Sequence, residues 1–379
     1  MQACLLLLPF LILTACSSKP DGTFKTLKVE YIENIPLSEL IKTEAEYIPL
    51  KSARNYPIKE IDGILFSDTL IYALDSRVLK KVVAFDHSGN FKFAFGTLGA
   101  GIGEYGMPSA IALYEDELHL SDNGNFSLLK YGLDGQFREE IQTGLWISEF
   151  LSLNDHLIIH SPISFVDTAH FGLNTLRVFS SDYQRLESSF FPYTDVAGNS
   201  CYPGQISIFN NQVNFLRSYV DEVWTLKDNN VTPRFKIDFG KYAWPITEEE
   251  MNNDEDRFTD LFIEEDIMSV LHDVNETDQY FLFKTYMTNA NFLAEEDEWM
   301  VIHEKGTNLA YAIHNVVNDL NDQAFRFPKT TWGDDLISII PEKTLPSTAS
   351  LTQNSDSQLF MLMRYELKPK MNLPRYVGR

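Results

Sequence analysis

The chain has 379 residues, and its 54 acidic against 31 basic side chains give a formal net charge of −23. That length can bury a large core in one or two domains, and so acidic a surface argues against nucleic acid and against adhesion to anionic lipid. Aromatics are abundant (27 Phe, 17 Tyr, 5 Trp), and with few helical stretches they point to a β-rich protein.

The chain opens on an uncharged apolar run from Ala3 to Leu13, closed by Leu13-Thr14-Ala15-Cys16. The run is shorter than the roughly 20 residues a membrane span needs. Small residues end a signal peptide because the peptidase cleft admits little else. A cysteine directly after them resembles a bacterial lipoprotein signal, in which the thiol is diacylated and becomes the new N-terminus. This implies a signal peptide over 1–15, lipidation at Cys16 and a membrane partner through the anchor. It also implies a place in the cell envelope as an outer-membrane lipoprotein, facing the periplasm or the cell surface. Residues 16–45 read as lipidated N-terminus and tether. Cys4 leaves with the signal and Cys16 carries lipid, so Cys201 stands alone as a buried structural thiol and no internal disulfide forms in the mature monomer.

Short alternating runs then recur between Asp/Asn/Gly turns. Leu70–Leu74 and Lys81–Phe85 read as strands, followed by the turn Asp86-His87-Ser88-Gly89-Asn90 and a strand over Phe91–Phe95. Later copies centre on Lys130, Arg177 and Val223, at steps of 46, 47 and 46 residues from Ala84. A repeat of about 40–50 residues holding several short strands is the signature of propeller blades. The following copy, Trp299–Ile302, lies 76 residues beyond Val223. The excess falls at Thr247–His272, where Met251, Phe258, Leu261, Phe262 and Ile267 stand at near-helical spacing, so a helical insertion between strands is predicted. A last unit begins near Thr331-Trp332 and includes Leu336–Ile340 and Leu359–Tyr365. Glu46-Tyr47-Ile48-Pro49-Leu50 precedes the first full unit without a partner. It is assigned as the outer strand of the last blade, where Pro49 costs least. The expected fold is an all-β six-bladed β-propeller over 46–379, with seven blades as the alternative.

Ile35-Pro36-Leu37-Ser38-Glu39-Leu40 with Glu46–Leu50 resembles the opening of the six-bladed β-propeller lipoproteins of Bacteroidetes. Gly96-Thr97-Leu98-Gly99-Ala100-Gly101-Ile102-Gly103-Glu104-Tyr105, then Pro108 and Ile111, is similar to the linker between blades in NHL-type repeats. The resemblance implies the fold over roughly 30–379 and little about function.

Few motifs carry chemistry. The glycine run lacks the Lys-Ser/Thr and following helix of a phosphate loop, so it reads as a blade-to-blade turn. His156 and His160 flank a strand and lie about 13 Å apart, too far for one metal. The acids around Glu248–Asp256 lack calcium-loop spacing and read as a solvated helix face. Asp68-Thr69-Leu70 and Asp167-Thr168-Ala169 resemble the O-glycosylation acceptor of exported Bacteroidetes proteins, at Thr69 and Thr168. The second strand of successive units ends in a polar residue: Asp75, Asp122, His160, Arg217 and Lys284. In a propeller these ends lie on one face near the channel, and a converging, exposed ring of mixed charge there would hold a small polar or sugar-like ligand. The reading is a lipid-anchored binding or scaffold module of the envelope, for an unknown protein or carbohydrate ligand. No catalytic residue, metal or cofactor is assigned and no nucleic acid is expected. The alternative is a propeller-type lyase or lactonase acting on a carbohydrate or ester, which would gather a metal, or His and carboxylates, at the channel mouth.

Overall fold

The computed structural model describes residues 22–42, 45–99, 101–161, 174–192, 204–288, 298–341 and 360–369. Strand β1 (Lys25–Pro36), the short helix α1 (Leu37–Leu40) and β2 (Glu46–Leu50) come first. Blade 1 follows as β3 (Gly63–Phe66), β4 (Leu70–Asp75), β5 (Lys81–Asp86) and β6 (Phe91–Phe95). Blade 2 is β7 (Pro108–Tyr114), β8 (Glu117–Asp122), β9 (Ser127–Gly132) and β10 (Phe137–Gln142). Blade 3 is β11 (Glu149–Leu153), β12 (His156–His160), β13 (Asn174–Ser180) and β14 (Leu186–Pro192). Blade 4 is β15 (Ile206–Phe209), β16 (Gln212–Arg217), β17 (Glu222–Lys227) and β18 (Asn230–Asp238). Blade 5 is β19 (Met268–Glu276), β20 (Tyr280–Met287), β21 (Glu298–Glu304) and β22 (Leu309–Val317). Blade 6 is β23 (Thr330–Trp332), β24 (Asp335–Pro341) and β25 (Phe360–Tyr365), completed by β2 in the order β2-β25-β24-β23.

The first strands contact one another in sequence, β3 to β7, β11, β15, β19 and β23, and so form the inner ring. Middle strands are largely buried on both faces, as in Leu70–Asp75 and Lys81–Asp86, whose centres Ile71–Leu74 and Val82–Phe85 are continuous apolar runs. An outer strand such as Phe137–Gln142 has only one neighbour and is largely exposed. A separate buried apolar cluster fills each of the six junctions between neighbouring blades. The cluster that closes the ring joins Ile48, Ile337 and Leu362 of blade 6 to Ile64, Ile71 and Phe85 of blade 1. The protein is a six-bladed propeller, and the seven-bladed alternative falls.

One sequence expectation needs correction. Residues 25–36 are no tether. Strand β1 pairs in parallel with β18 at Lys25↔Phe235 to Lys28↔Asp238, and with β22 at Lys28↔Leu309 to Pro36↔Val317. It thereby joins blades 4 and 5 into one nine-stranded sheet. Leu27, Ile32 and Ile35 are buried, Phe24 packs edge-on against Trp224, and Tyr31 donates to the Phe239 carbonyl at 2.6 Å. The helical insertion expected within 247–272 is present between blades 4 and 5. It comprises α2 (Glu248–Asn253) and α3 (Glu255–Glu264), and β19 already begins at Met268. Thr247 and Glu250 form a capping box on α2, and the Asp254 side chain accepts from Arg257 N–H at the start of α3. The glycine-rich run links β6 to β7; Glu104 accepts from Gly101 N–H, and Tyr105 donates to the Lys80 carbonyl.

Candidate functional site

A cavity of about 820 Å³ opens at the end of the ring where the second strands finish. Blade 1 contributes Glu60, Asp62 and Arg77 to it, and blade 5 Asp273, Lys284, Tyr286 and Glu298. The segment leading into blade 6 contributes Arg326, Phe327 and Lys329. Asp273 owes its place to an irregularity in β19, where the register with β20 shifts between His272 and Asn275. Its φ is +48°, a left-handed conformation that few non-glycine residues adopt. Gly204, at φ +82°, makes room for it: a Cβ there would lie 2.4 Å from Asp273 Oδ1.

The charges around Asp273 are paired in advance. Lys284 Nζ stands 3.2 Å from Asp273 Oδ2 and 3.3 Å from Glu298 Oε2, and Lys329 Nζ lies 2.8 Å from Asp273 Oδ1. Burial alone would raise the Asp273 pKa, but Lys329 and Lys284 hold its carboxyl well below the usual carboxylate range. Burial alone would lower Lys284, but Asp273 and Glu298 hold it above the usual lysine value. Both groups are therefore charged at neutral pH. His272 stacks on Tyr286 at 4.7 Å, and its Nδ1 is 3.4 Å from Asp273 Oδ2. The Tyr286 hydroxyl donates to Glu298 Oε1 at 3.3 Å. The Lys284 ammonium thus sits between the Asp273 and Glu298 carboxylates. Among the described residues, no three His, Cys, Asp or Glu side chains converge to hold a metal ion.

Of the five strand-end residues, only Lys284 lines this cavity. Asp75 is fully buried and accepts four backbone N–H groups. Its Oδ2 takes those of Lys59 and Glu60 at 2.9 and 3.2 Å, and its Oδ1 those of Val78 and Leu79 at 3.0 and 2.8 Å. Asp122 does the same in blade 2 for Gly106, Met107 and Gly124, with Asn125 Nδ2 as a fourth donor. His160 Nδ1 contacts Glu149 Oε1 at 3.1 Å, and its ring meets Phe215 edge-on. Arg217 is buried rather than exposed, ion-paired to Glu222 at 2.8 Å and Glu248 at 2.9 Å over the Phe191 ring. The physical reason is common to the four. Where a second strand ends, the next turn and the incoming inter-blade loop leave backbone N–H groups and buried charges, and the strand-end side chain satisfies those. The expected convergence of a five-membered ring on the axis is not what these side chains do. Sequence reasoning also missed Asp273, Glu298, Arg326 and Lys329. For Asp273 and Glu298 a signal existed: charged residues next to apolar strand segments, as in Leu271-His272-Asp273-Val274 and Glu298-Trp299-Met300. Thr69 is exposed in the turn between β3 and β4. Cys16, Thr168 and Cys201 lie outside the described residues.

A second cavity, of about 410 Å³, adjoins the first, and Glu298, Arg326 and Phe327 line both. Its other walls are Glu33 and Asn34 of β1, His314, Asn315 and Val316 of β22, and Phe325. His314 Nδ1 pairs with Glu33 at 2.6 Å and its ring stacks on Trp299 at 4.5 Å. Asn315 Nδ2 donates to Asn34 Oδ1 at 2.8 Å. No helix among the described residues is long and apolar enough to cross a membrane.

Residues 25–366 match the family described as Domain of unknown function (DUF4934), and the chain belongs to that family. No curated protein matches it. Among solved structures it is similar to a protein of Bacteroides fragilis NCTC 9343 named as exported, at 16% identity and a TM-score of 0.69, over 91% of this chain and 100% of that one. It is also similar to a member of the DUF4221 family from Bacteroides vulgatus ATCC 8482, at 9% identity and a TM-score of 0.55, over 87% of this chain and 98% of that one. At these identities the likeness is one of fold.

Proposed function

We propose that this member of the DUF4934 family is an exported, lipid-anchored propeller that binds a small polar or sugar-like ligand at the mouth of its channel. It serves there as a recognition or scaffold module of the cell envelope. The observation that carries this reading is the 820 Å³ cavity, whose wall includes the buried Asp273–Lys284–Glu298 cluster of ion pairs. Cavities of roughly 300–1,000 Å³ with a few fixed polar groups suit small ligands, and a preorganised wall loses little freedom on binding. Tyr286 and Phe327 add aromatic surface to that wall. Export and anchoring are supported by the Leu13-Thr14-Ala15-Cys16 motif and by the naming of the Bacteroides fragilis neighbour as exported.

Arg77 offers the cleanest test. It lines the cavity, its side chain is 72% exposed, and it pairs with Glu60 and Asp62. Exposed pairs contribute about 0–1 kcal/mol, so Arg77→Ala should keep the fold. A panel of mono- and oligosaccharides, amino acids and uronates is screened by thermal shift on the full chain in detergent. A ligand that raises the melting temperature of the wild type and binds Arg77→Ala more weakly supports the reading. Ligands that shift both proteins equally place binding elsewhere and refute it.

A further inference from the structure

This inference rests on the channel mouth being a ligand site and concerns what that ligand is. The inner and outer cavities share Glu298, Arg326 and Phe327 and so lie side by side, with the outer one bounded by β1. The charges lining them include ready-made pairs: Arg77 with Glu60 and Asp62, Lys284 and Lys329 with Asp273, Lys284 with Glu298, and His314 with Glu33. A charged ligand that took up Lys284, Asp273 or Glu298 would have to break one of the buried pairs and leave its partner buried and unmatched. A neutral hydroxyl-rich ligand would not. Hydroxyls both donate and accept, and they can use the lone pairs the carboxylates retain. In the outer cavity Asn315 and Asn34 spend one donor and one acceptor on each other and keep further donor and acceptor capacity. Phe325 and Phe327 supply half-buried aromatic surface for the apolar faces of sugar rings.

We propose that the ligand is a neutral oligosaccharide of two or more units, its inner unit in the channel and its outer unit against Asn34 and Asn315 of the β1–β22 pair. The test is calorimetric titration of the full chain in detergent with neutral gluco-, manno- and xylo-oligosaccharides of increasing length. Monosaccharides, uronate oligomers and short peptides are titrated alongside. A neutral oligosaccharide should bind about tenfold or more tighter than its own monosaccharide. The double variant Asn34→Ala/Asn315→Ala should weaken the oligosaccharide about fivefold or more, the equivalent of one hydrogen bond, and leave the monosaccharide unchanged. Affinity should hardly move between about 0.1 M and 1 M salt, because no net charge is screened. Equal binding of monomer and oligomer, with the double variant silent, overturns the extended ligand and leaves the channel reading standing. Salt-sensitive binding of uronates or peptides, with neutral sugars inert, overturns the neutral saccharide. Binding that survives Arg77→Ala untouched overturns the channel reading itself.

Discussion

Replacing Asp75 by Asn changes one oxygen to an amide and leaves the side-chain shape intact. The consequence follows from the four N–H groups this buried carboxylate accepts, two on each oxygen. Whichever way the amide turns, its NH₂ faces two backbone donors, either those of Lys59 and Glu60 or those of Val78 and Leu79. Each stranded buried donor costs about 1–3 kcal/mol, so the loss should be about 2–6 kcal/mol. Against a total of roughly 5–15 kcal/mol, that is a large fraction of the stability. Urea unfolding followed by tryptophan fluorescence measures it as a lower midpoint at unchanged slope. Asp122→Asn should cost a similar amount, because its carboxylate holds the corresponding turn of blade 2. The two sites share none of these donors, so the double variant should lose the sum. A loss below about 1 kcal/mol for Asp75→Asn would refute the reasoning, because the loops would then be held by something other than the strand-end carboxylate.

Three further outcomes are expected. Arg217→Ala should cost about 3–5 kcal/mol, because it leaves Glu222 buried without its closest cation; equilibrium unfolding within about 0.5 kcal/mol of wild type would count against that pairing. Burial raises the Asp221 carboxyl to about 8, with Lys236 opposing and Glu222 adding. Its unfolded value is near 4, so wild-type stability attributable to this group should fall as pH rises from about 4 to about 8, by up to about 1.4 kcal/mol per unit. Asp221→Asn cannot titrate, so the gap between its melting curve and that of wild type should widen in its favour up to pH 8 and then level; parallel curves would sink the assignment. Removing residues 22–36 strips Leu27, Ile32 and Ile35 from the junctions beside blade 5, at about 1.5–3 kcal/mol each; an unchanged melting temperature would mean that β1 does not stabilise the ring.

The blade repeat was legible because it is local. Ala84, Lys130, Arg177, Val223 and Trp299 all fall on the third strand of their blades. Period-two alternation and Asp/Gly turns are written within each unit. Strand β1 was not legible. It is a strand of mixed polarity with only three fully buried residues, and parallel pairing to partners over 200 positions away leaves no turn nearby to announce it. The site was legible only in part for a similar reason. Alternation identifies the ends of second strands, but it does not tell whether a carboxylate there faces the axis or folds back onto a loop. Asp75 and Asp122 fold back. Asp273 reaches the cavity through a register shift, and an irregularity of that kind breaks the alternation from which a sequence reading starts.

The strand linking blades 4 and 5 also sets an order in time. It is synthesised early in the chain, yet Tyr31 and its acceptor Phe239 are 208 residues apart, and Glu33 and His314 281 apart. Contacts of such separation form slowly, because loop closure must precede any gain from pairing. The first strand of the chain is therefore among the last to be matched. Until blades 4 and 5 exist, it travels as an unpaired amphipathic segment, open to pairing with other chains. A nascent chain stalled before residue 235 would carry that strand with neither of its hydrogen-bonding partners, which makes it a segment that a holding chaperone would have to shield until blades 4 and 5 are complete.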